Sequence, residues 1–327
     1  MADQRCAGHR NSLAWVLRFM CSAVVLMSFV SGVHGQRTIT VSKDGRGNFM
    51  TVGGALNAAT PGSRIVIAAG VYREQVRLRK SNIILIGVPG QTVIIYKQSA
   101  AQAGSTEKSA TFIVHSQAAG FQAVGVTFTN DYGPNYKEGD QAVALNVQAD
   151  SSFFNCRFIG WQDTLYAKKG RQFYQNCYIE GSVDFAFGAA TAQFVNCDLY
   201  AKKRGNAVIA SYTAQKRGSA SETNGYVFVG GKLRCDPGVK AYLGRTWGMY
   251  ARTVFIEVVM DDCITPAGWS VISGRGGTTT SFSAEYNCRG PGANRSGRVS
   301  WSRVLTPEQA SFFRSSNFIG GPRPQPK

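Results

Sequence analysis

A stack of parallel coils, each one turn of an all-β solenoid, is the fold this chain predicts, and three observations predict it. Asn-Cys recurs at Asn155-Cys156, Asn176-Cys177 and Asn196-Cys197, at intervals of 21 and 20 residues, and a fixed period of that length marks a repeat architecture. Short runs of Phe, Tyr, Val and Ile are broken by Gly and Asn, which suits strands and turns better than helices. Apolar runs without polar alternation, such as Ile83-Ile84-Leu85-Ile86, indicate strands covered on both faces. One coil stacked on the next in this way is a parallel β-helix.

In chain order, residues 1–35 read as a secretory signal peptide. Arg5, Arg10 and Arg18 precede the apolar run Phe19 to Val30, and small residues end at Gly35, the three-part pattern of an export signal. That run is short of the roughly 20 residues a membrane-spanning helix needs. Residues 36–319 form one large domain in this reading, opening on the alternating strand Arg37 to Val41 and a turn at Lys43 to Asn48. Phe49 to Ala59 carries apolar residues at helical spacing, a short helix capping the open end of the stack. Strands follow at Arg64 to Ala68, Val76 to Leu78, Asn82 to Gly87, Thr92 to Tyr96, Ala110 to Val114 and Val124 to Phe128.

Gly125 to Phe128, Asn155 to Phe158, Asn176 to Ile179, Asn196 to Leu199 and Gly230 to Leu233 superpose as one strand position, which leaves long loops at 131–140 and 201–224. Long loops on a solenoid build its binding face. Later strands fall at Val254 to Val259 and Val271 to Ser273, and Thr306-Pro307-Glu308-Gln309 opens a second capping helix by capping-box rules. Residues 320–327, with three prolines among them, read as a disordered tail.

The net charge of +17 favours a polyanionic partner. No nucleic-acid motif accompanies it and the leader argues for export, so acidic polysaccharide is the better match. No CxxC pair occurs, which leaves a zinc or thioredoxin-like site without support. Stacking puts Cys156 and Cys177 within disulfide range, and a ladder of buried free thiols fits equally well. Outside the leader His115 is the only histidine, too few for a multi-histidine metal site, and its place in a strand-like run favours a structural role.

The chemistry centres on two copies of one pattern. Asp163 lies seven residues after Cys156 and Asp184 seven after Cys177, so successive coils bring the two carboxyl groups together at about the 4.8 Å strand spacing. Neighbouring carboxylates do not share one protonation state, and that division supplies an acid and a nucleophile or base. Gln141 lies one coil before Gln162, and two amides there suit a developing oxyanion. Arg245 suits a bidentate pair that holds one aspartate ionised. Each of these polar groups also fits a structural hydrogen-bond ladder, and paired carboxylates on a β-helix equally suit a glycoside hydrolase.

Gly70 to Glu74, Gln141 to Leu145, Gly160 to Tyr166, Gly181 to Gly188 and Leu243 to Trp247, in that order, resemble the pectin methylesterase (pectinesterase) family, in its plant type without an amino-terminal inhibitor-like pro-region. The resemblance runs from about Thr38 to Phe318. It implies a right-handed parallel β-helix that hydrolyses methyl esters of polygalacturonate (pectin), with neither metal nor cofactor. Asp184 matches the family nucleophile, Asp163 its acid and base, Gln141 and Gln162 its oxyanion stabilisers, and Arg245 the residue that orients the nucleophile. Tyr166, Phe187, Trp247 and Trp269 match aromatic positions along the sugar cleft. The resemblance further implies a secreted, monomeric cell-wall enzyme acting on methyl-esterified homogalacturonan, with a proteinaceous pectinesterase inhibitor as a second partner and neither membrane nor nucleic acid. A wall-binding protein without activity is the remaining alternative. Thr246, Ala186 and Ala189 depart from the family's usual proline, larger aliphatic residue and asparagine.

Overall fold

A computed structural model describes residues 36–134 and 139–327; the signal-peptide reading lies outside them. Three parallel sheets form the walls of a β-helix, one of 11 strands and two of 8. Each coil contributes one strand to each wall in turn, so strands three apart in the chain pair side by side. The superposition expected from the sequence is the observed register, with Thr127, Arg157, Tyr178, Asp198 and Lys232 as successive partners.

The recurring Asn has a backbone reason. Asn155, Asn176 and Asn196 turn the corner between the 11-stranded wall and the next at φ 52°, 54° and 51°, and Gly125 and Gly230 do so on other coils. Only Gly, Asn and Asp enter this left-handed region at low cost. The same corner overturns two expected strands. Val124 to Phe128 is two strands, Phe121–Val124 and Thr127–Asn130, parted at Gly125; Val254 to Val259 is likewise parted at Glu257, where φ is 57°.

Side chains directed into the coil form the core. Phe153, Tyr174, Phe194, Phe228 and Phe255 stack ring on ring at 4.9, 4.5, 4.4 and 4.7 Å, each contact contributing roughly 0.5–1.5 kcal/mol beyond burial. Cys156, Cys177 and Cys197 are free and buried, and the Cys177 and Cys197 thiols donate to carbonyls of the preceding coil, at Phe153 and Tyr174. Of the two expectations for these cysteines the thiol ladder is therefore the one observed. The disulfide joins Cys235 and Cys263 instead.

Helix α1 (Val52–Ala58) buries Val52, Ala55 and Leu56 against the first coil. Helix α2 (Ala100–Ala103) lies in a loop. Helix α3 (Pro307–Arg314) has the expected capping box between Thr306 and Gln309 and packs Ala310 and Phe313 on the outside of the 11-stranded sheet. Residues 320–327 are not the free tail expected. They run along that same outer face, where the Gln122 amide donates to the Gln325 carbonyl and accepts from the Lys327 backbone, and Arg323 donates to the Gln193 amide oxygen. Three prolines left a segment with few backbone donors, and outward-facing glutamines supply its hydrogen bonds.

Candidate active site

The two aspartates occupy one corner of successive coils, before the strands Leu165–Ala167 and Ala186–Gly188. Leu165 pairs with Ala186 and Tyr166 with Phe187, so positions 163 and 184 are in register, and the Asp163 N–H donates to the Val183 carbonyl at 3.1 Å. Both residues adopt positive φ, 65° and 52°. An aspartate tolerates that conformation where a branched or bulky residue does not, and the backbone there turns its short side chain outward at the strand entry.

The two carboxyl groups have different surroundings. Asp184 is buried, 7% exposed, and three donors hold it. Ser211 Oγ donates to Oδ1 at 2.6 Å, Arg245 Nε to the same oxygen at 2.9 Å, and Arg245 Nη2 to Oδ2 at 2.5 Å. Ser211 Oγ also accepts the Asp184 N–H at 2.9 Å. Oδ1 thus takes two donors and Oδ2 one, which leaves Oδ2 with the free lone pair. Asp163 has neither serine nor guanidinium on it. Burial pushes its carboxyl well above the usual carboxylate range, the charge of Asp184 adds to this, and Arg245 opposes it. The hydrogen bond to Asp184 raises the Arg245 guanidinium in turn, so it stays cationic.

Gln141 and Gln162 lie on consecutive coils, linked by the Ala142 N–H to the Gln162 carbonyl, and both line the cleft above the carboxylates. Arg204 Nη1 donates to Gln162 Oε1 at 3.1 Å. A guanidinium only donates, so the amide oxygen is turned to Arg204 and the amide NH2 is left for the cleft. The cleft encloses about 360 Å³ and includes Asp163, Asp184, Tyr166, Phe187, Arg245 and Trp247. Tyr166 stacks on Phe187 at 4.2 Å and Phe187 lies 6.1 Å from Trp247, an aromatic platform beside the carboxylates. Among the described residues no three of His, Cys, Asp and Glu gather into a set able to hold a metal ion.

Of the residues expected at the site, Trp269 alone lies elsewhere. It is 2% exposed, 5.9 Å from Phe255 in the core, and its Nε1 donates to buried Glu285. Strand alternation is the reason. Ser270 pairs with outward-facing Arg245, so residue 269 faces inward, opposite Gly244, where a side chain would meet the indole. Ile272 lines the cleft on that coil. Thr246 is buried on the strand that carries Arg245, whose guanidinium is nevertheless seated on Asp184.

Sequence reasoning missed Ser211 and Arg204. Both follow Asp184 by way of the longer stretch between Ala201 and Ile209, and the register across a loop of irregular length is not readable from spacing.

The profile of the pectinesterase family matches residues 38–322. Pectinesterase 3 of Citrus sinensis is 40% identical over 301 residues, covering 86% of this chain and 51% of its own length. The chain spans about half the length of the first curated relatives it matches. Pectin methylesterase from carrot has a TM-score of 0.81 at 35% identity over 86% of this chain and 93% of its own. A pectin methylesterase solved in complex with a hexasaccharide has a TM-score of 0.75 at 27% identity, covering 88% and 98%.

Proposed function

This chain belongs to the pectinesterase family, and we propose that it is itself an ester hydrolase that removes methyl groups from polygalacturonate to give free carboxylates and methanol. The observation that carries this reading is the unequal treatment of two carboxyl groups in register. Asp184 is held by Arg245 and Ser211, while burial and that neighbouring charge keep the proton on Asp163.

In the proposed reaction Asp184 Oδ2 attacks the ester carbonyl carbon, and the oxyanion of the tetrahedral intermediate is met by the amide NH2 groups of Gln141 and Gln162. Collapse breaks the bond to methoxide, which leaves as methanol with the proton of Asp163, and an acyl anhydride on Asp184 remains. Asp163, now a carboxylate, takes a proton from water as the water oxygen attacks the anhydride carbonyl. The galacturonate carboxyl departs, Asp184 is regenerated as a carboxylate, and Asp163 is again protonated. Tyr166, Phe187 and Trp247 supply faces for the apolar sides of the sugar rings.

The substrate on this reading is methyl-esterified homogalacturonan, in keeping with the hexasaccharide held by the solved relative. The chain acts as a secreted monomer in the cell wall, and a proteinaceous pectinesterase inhibitor is a second partner; relatives whose names pair the two activities motivate that assignment. Methanol release from methyl-esterified pectin by purified protein tests the reaction, with Asp184→Ala expected to abolish it. Methanol release that survives Asp184→Ala, or new reducing ends without methanol, overturns the assignment.

A further inference from the structure

Gln162 can serve an oxyanion only one way round. The two ends of a primary amide are nearly the same size, yet its NH2 donates and its oxygen accepts. Turned over about its last rotatable bond, the side chain would present oxygen lone pairs to the developing negative charge. What decides the orientation lies two coils further along the stack. The Ser182 N–H donates to the Trp161 carbonyl and the Lys202 N–H to the Gly181 carbonyl. The stretch between the strands Asp198–Ala201 and Ile209–Gln215 therefore begins two coils beyond Trp161 and Gln162.

Two side chains of that stretch reach back to those consecutive residues. Lys202 Nζ lies 3.9 Å from the centre of the Trp161 ring and pairs with Glu180 on the coil between them at 2.8 Å. Arg204 Nη1 donates to Gln162 Oε1 at 3.1 Å. The stretch is itself held. The Ala207 N–H donates to the Arg204 carbonyl at 2.9 Å across a turn in which Gly205 has φ 55°. The Lys203 N–H and the Tyr200 hydroxyl both donate to Asp236, each at 2.7 Å. Among the described residues Gln162 lines the cleft and Arg204 does not.

We propose that Arg204 is a positioning residue for the oxyanion site, its guanidinium holding the Gln162 amide with the oxygen away from the cleft and the NH2 toward the reacting carbonyl. This inference rests on the esterase reading above and adds to it the group that orients one of the two donors. A guanidinium has no acceptor, so it can satisfy only the oxygen end of the amide. The bond is charge-assisted, and a donor on Oε1 polarises the amide so that its own hydrogens donate more strongly. Arg204 acts through Gln162 and makes no contact with the reacting atoms.

The test compares methanol release by Arg204→Met, Arg204→Lys, Gln162→Ala and the double variant Arg204→Met/Gln162→Ala. Methionine keeps an unbranched stem and removes every donor, whereas lysine, like arginine, only donates. Gln162→Ala deletes an oxyanion donor outright, and kcat should fall about 10²–10³-fold. Arg204→Met leaves that donor in place but unheld. Its kcat should fall by a smaller factor, about tenfold, the scale of one such hydrogen bond, with KM little changed and most of the loss recovered in Arg204→Lys. With Gln162 gone the guanidinium has nothing to position, so Arg204→Met should lower kcat no further in the Gln162→Ala background. Equal factors in the two backgrounds, or a loss confined to KM, would overturn the proposal, because a residue that only ties down its own loop acts without regard to Gln162. A second readout needs no turnover. The side-chain amide protons of Gln162, identified by NMR through their absence from Gln162→Ala, should shift in Arg204→Met and return toward their wild-type positions in Arg204→Lys. Resonances that Arg204→Met leaves unmoved overturn the proposal. Methanol absent from the wild type, with those resonances still governed by residue 204, would instead count against the esterase reading while supporting the hold of Arg204 on the amide.

Discussion

Replacing Asp163 with asparagine separates its electrostatic cost from its chemistry. The carboxyl is raised well above its ordinary 3.8, first by burial and then by the charge of Asp184. A group raised in the folded state contributes its full stability below pH 3.8, and that contribution is lost as pH rises until the folded carboxyl itself ionises. While it keeps its proton in the fold, each pH unit above 3.8 costs about 1.4 kcal/mol, because the unfolded chain releases the proton and the folded chain does not. The loss grows by that amount for every unit over which only the unfolded chain has released the proton. Asp163→Asn is close in size and has nothing to titrate, so its melting temperature should rise relative to wild type by roughly 2–3 °C per pH unit over that window. Methanol release by the same variant should fall about 10²–10⁴-fold for want of the acid. Thermal unfolding of both proteins from pH 4 to pH 6 is the assay. A constant difference between the two melting curves would show that Asp163 is not held protonated, and the proposed division of labour would fail with it.

Ser211→Ala removes a hydrogen bond to an ionised carboxylate, worth about 1.5–3 kcal/mol. If that bond positions Asp184, kcat drops roughly 10- to 150-fold with KM little changed, Ser211→Thr restores most of it, and a loss confined to KM refutes the role. Trp247→Ala should raise KM about three- to tenfold through the lost ring face. Trp269→Ala should instead lower stability by about 3–5 kcal/mol while the folded fraction keeps its KM; a KM effect from Trp269 would restore it to the cleft. Breaking the Cys235–Cys263 bridge as a double alanine variant should cost about 3–4 kcal/mol for a loop of 28 residues, read as a melting point roughly 5–7 °C lower. An unchanged melting point would show that the bridge does not constrain the unfolded chain.

The parts of this molecule legible in its sequence are those fixed by period. The three Asn-Cys pairs, superposed with Gly125 and Gly230, gave the register of five strands because the corner demands a residue tolerant of positive φ, and a residue under such a demand recurs at the coil length. Asp163 and Asp184 were found by the same count. Gly125 and Glu257 show where the count misleads: each sits at that same corner without the Asn-Cys signature, so the apolar residues around it read as one continuous strand. Trp269 failed for a different reason. Inward and outward positions alternate along a strand, a slip of one residue exchanges them, and neither a tryptophan nor its neighbours reveal which side they face. Arg204 lies within a stretch whose length breaks the period and Ser211 beyond it, and no residue type there announces a contact with Gln162 two coils back or with Asp184 one coil back. The C-terminal prolines were misread because the polar partners that hold them, Gln122 and Gln193, are more than a hundred residues away in sequence.

Stacking two aspartates in register does not by itself distinguish them. A strict repeat would give both carboxyl groups the same neighbours one coil apart, and neither would have cause to hold a proton in preference to the other. The coil after Asp184 breaks that equivalence, because it presents Ser211 to Asp184 where Asp163 meets the backbone of Asp184's own coil. One coil further, Arg245 directs two donors to Asp184. The position of an aspartate in the stack therefore decides its role: the one followed by serine and arginine is held for attack, and the one followed by that charge keeps a proton. Exchanging Ser211 and Arg245 for apolar residues would leave the register intact, yet it should remove the difference between the two carboxyl groups, and the reaction with it.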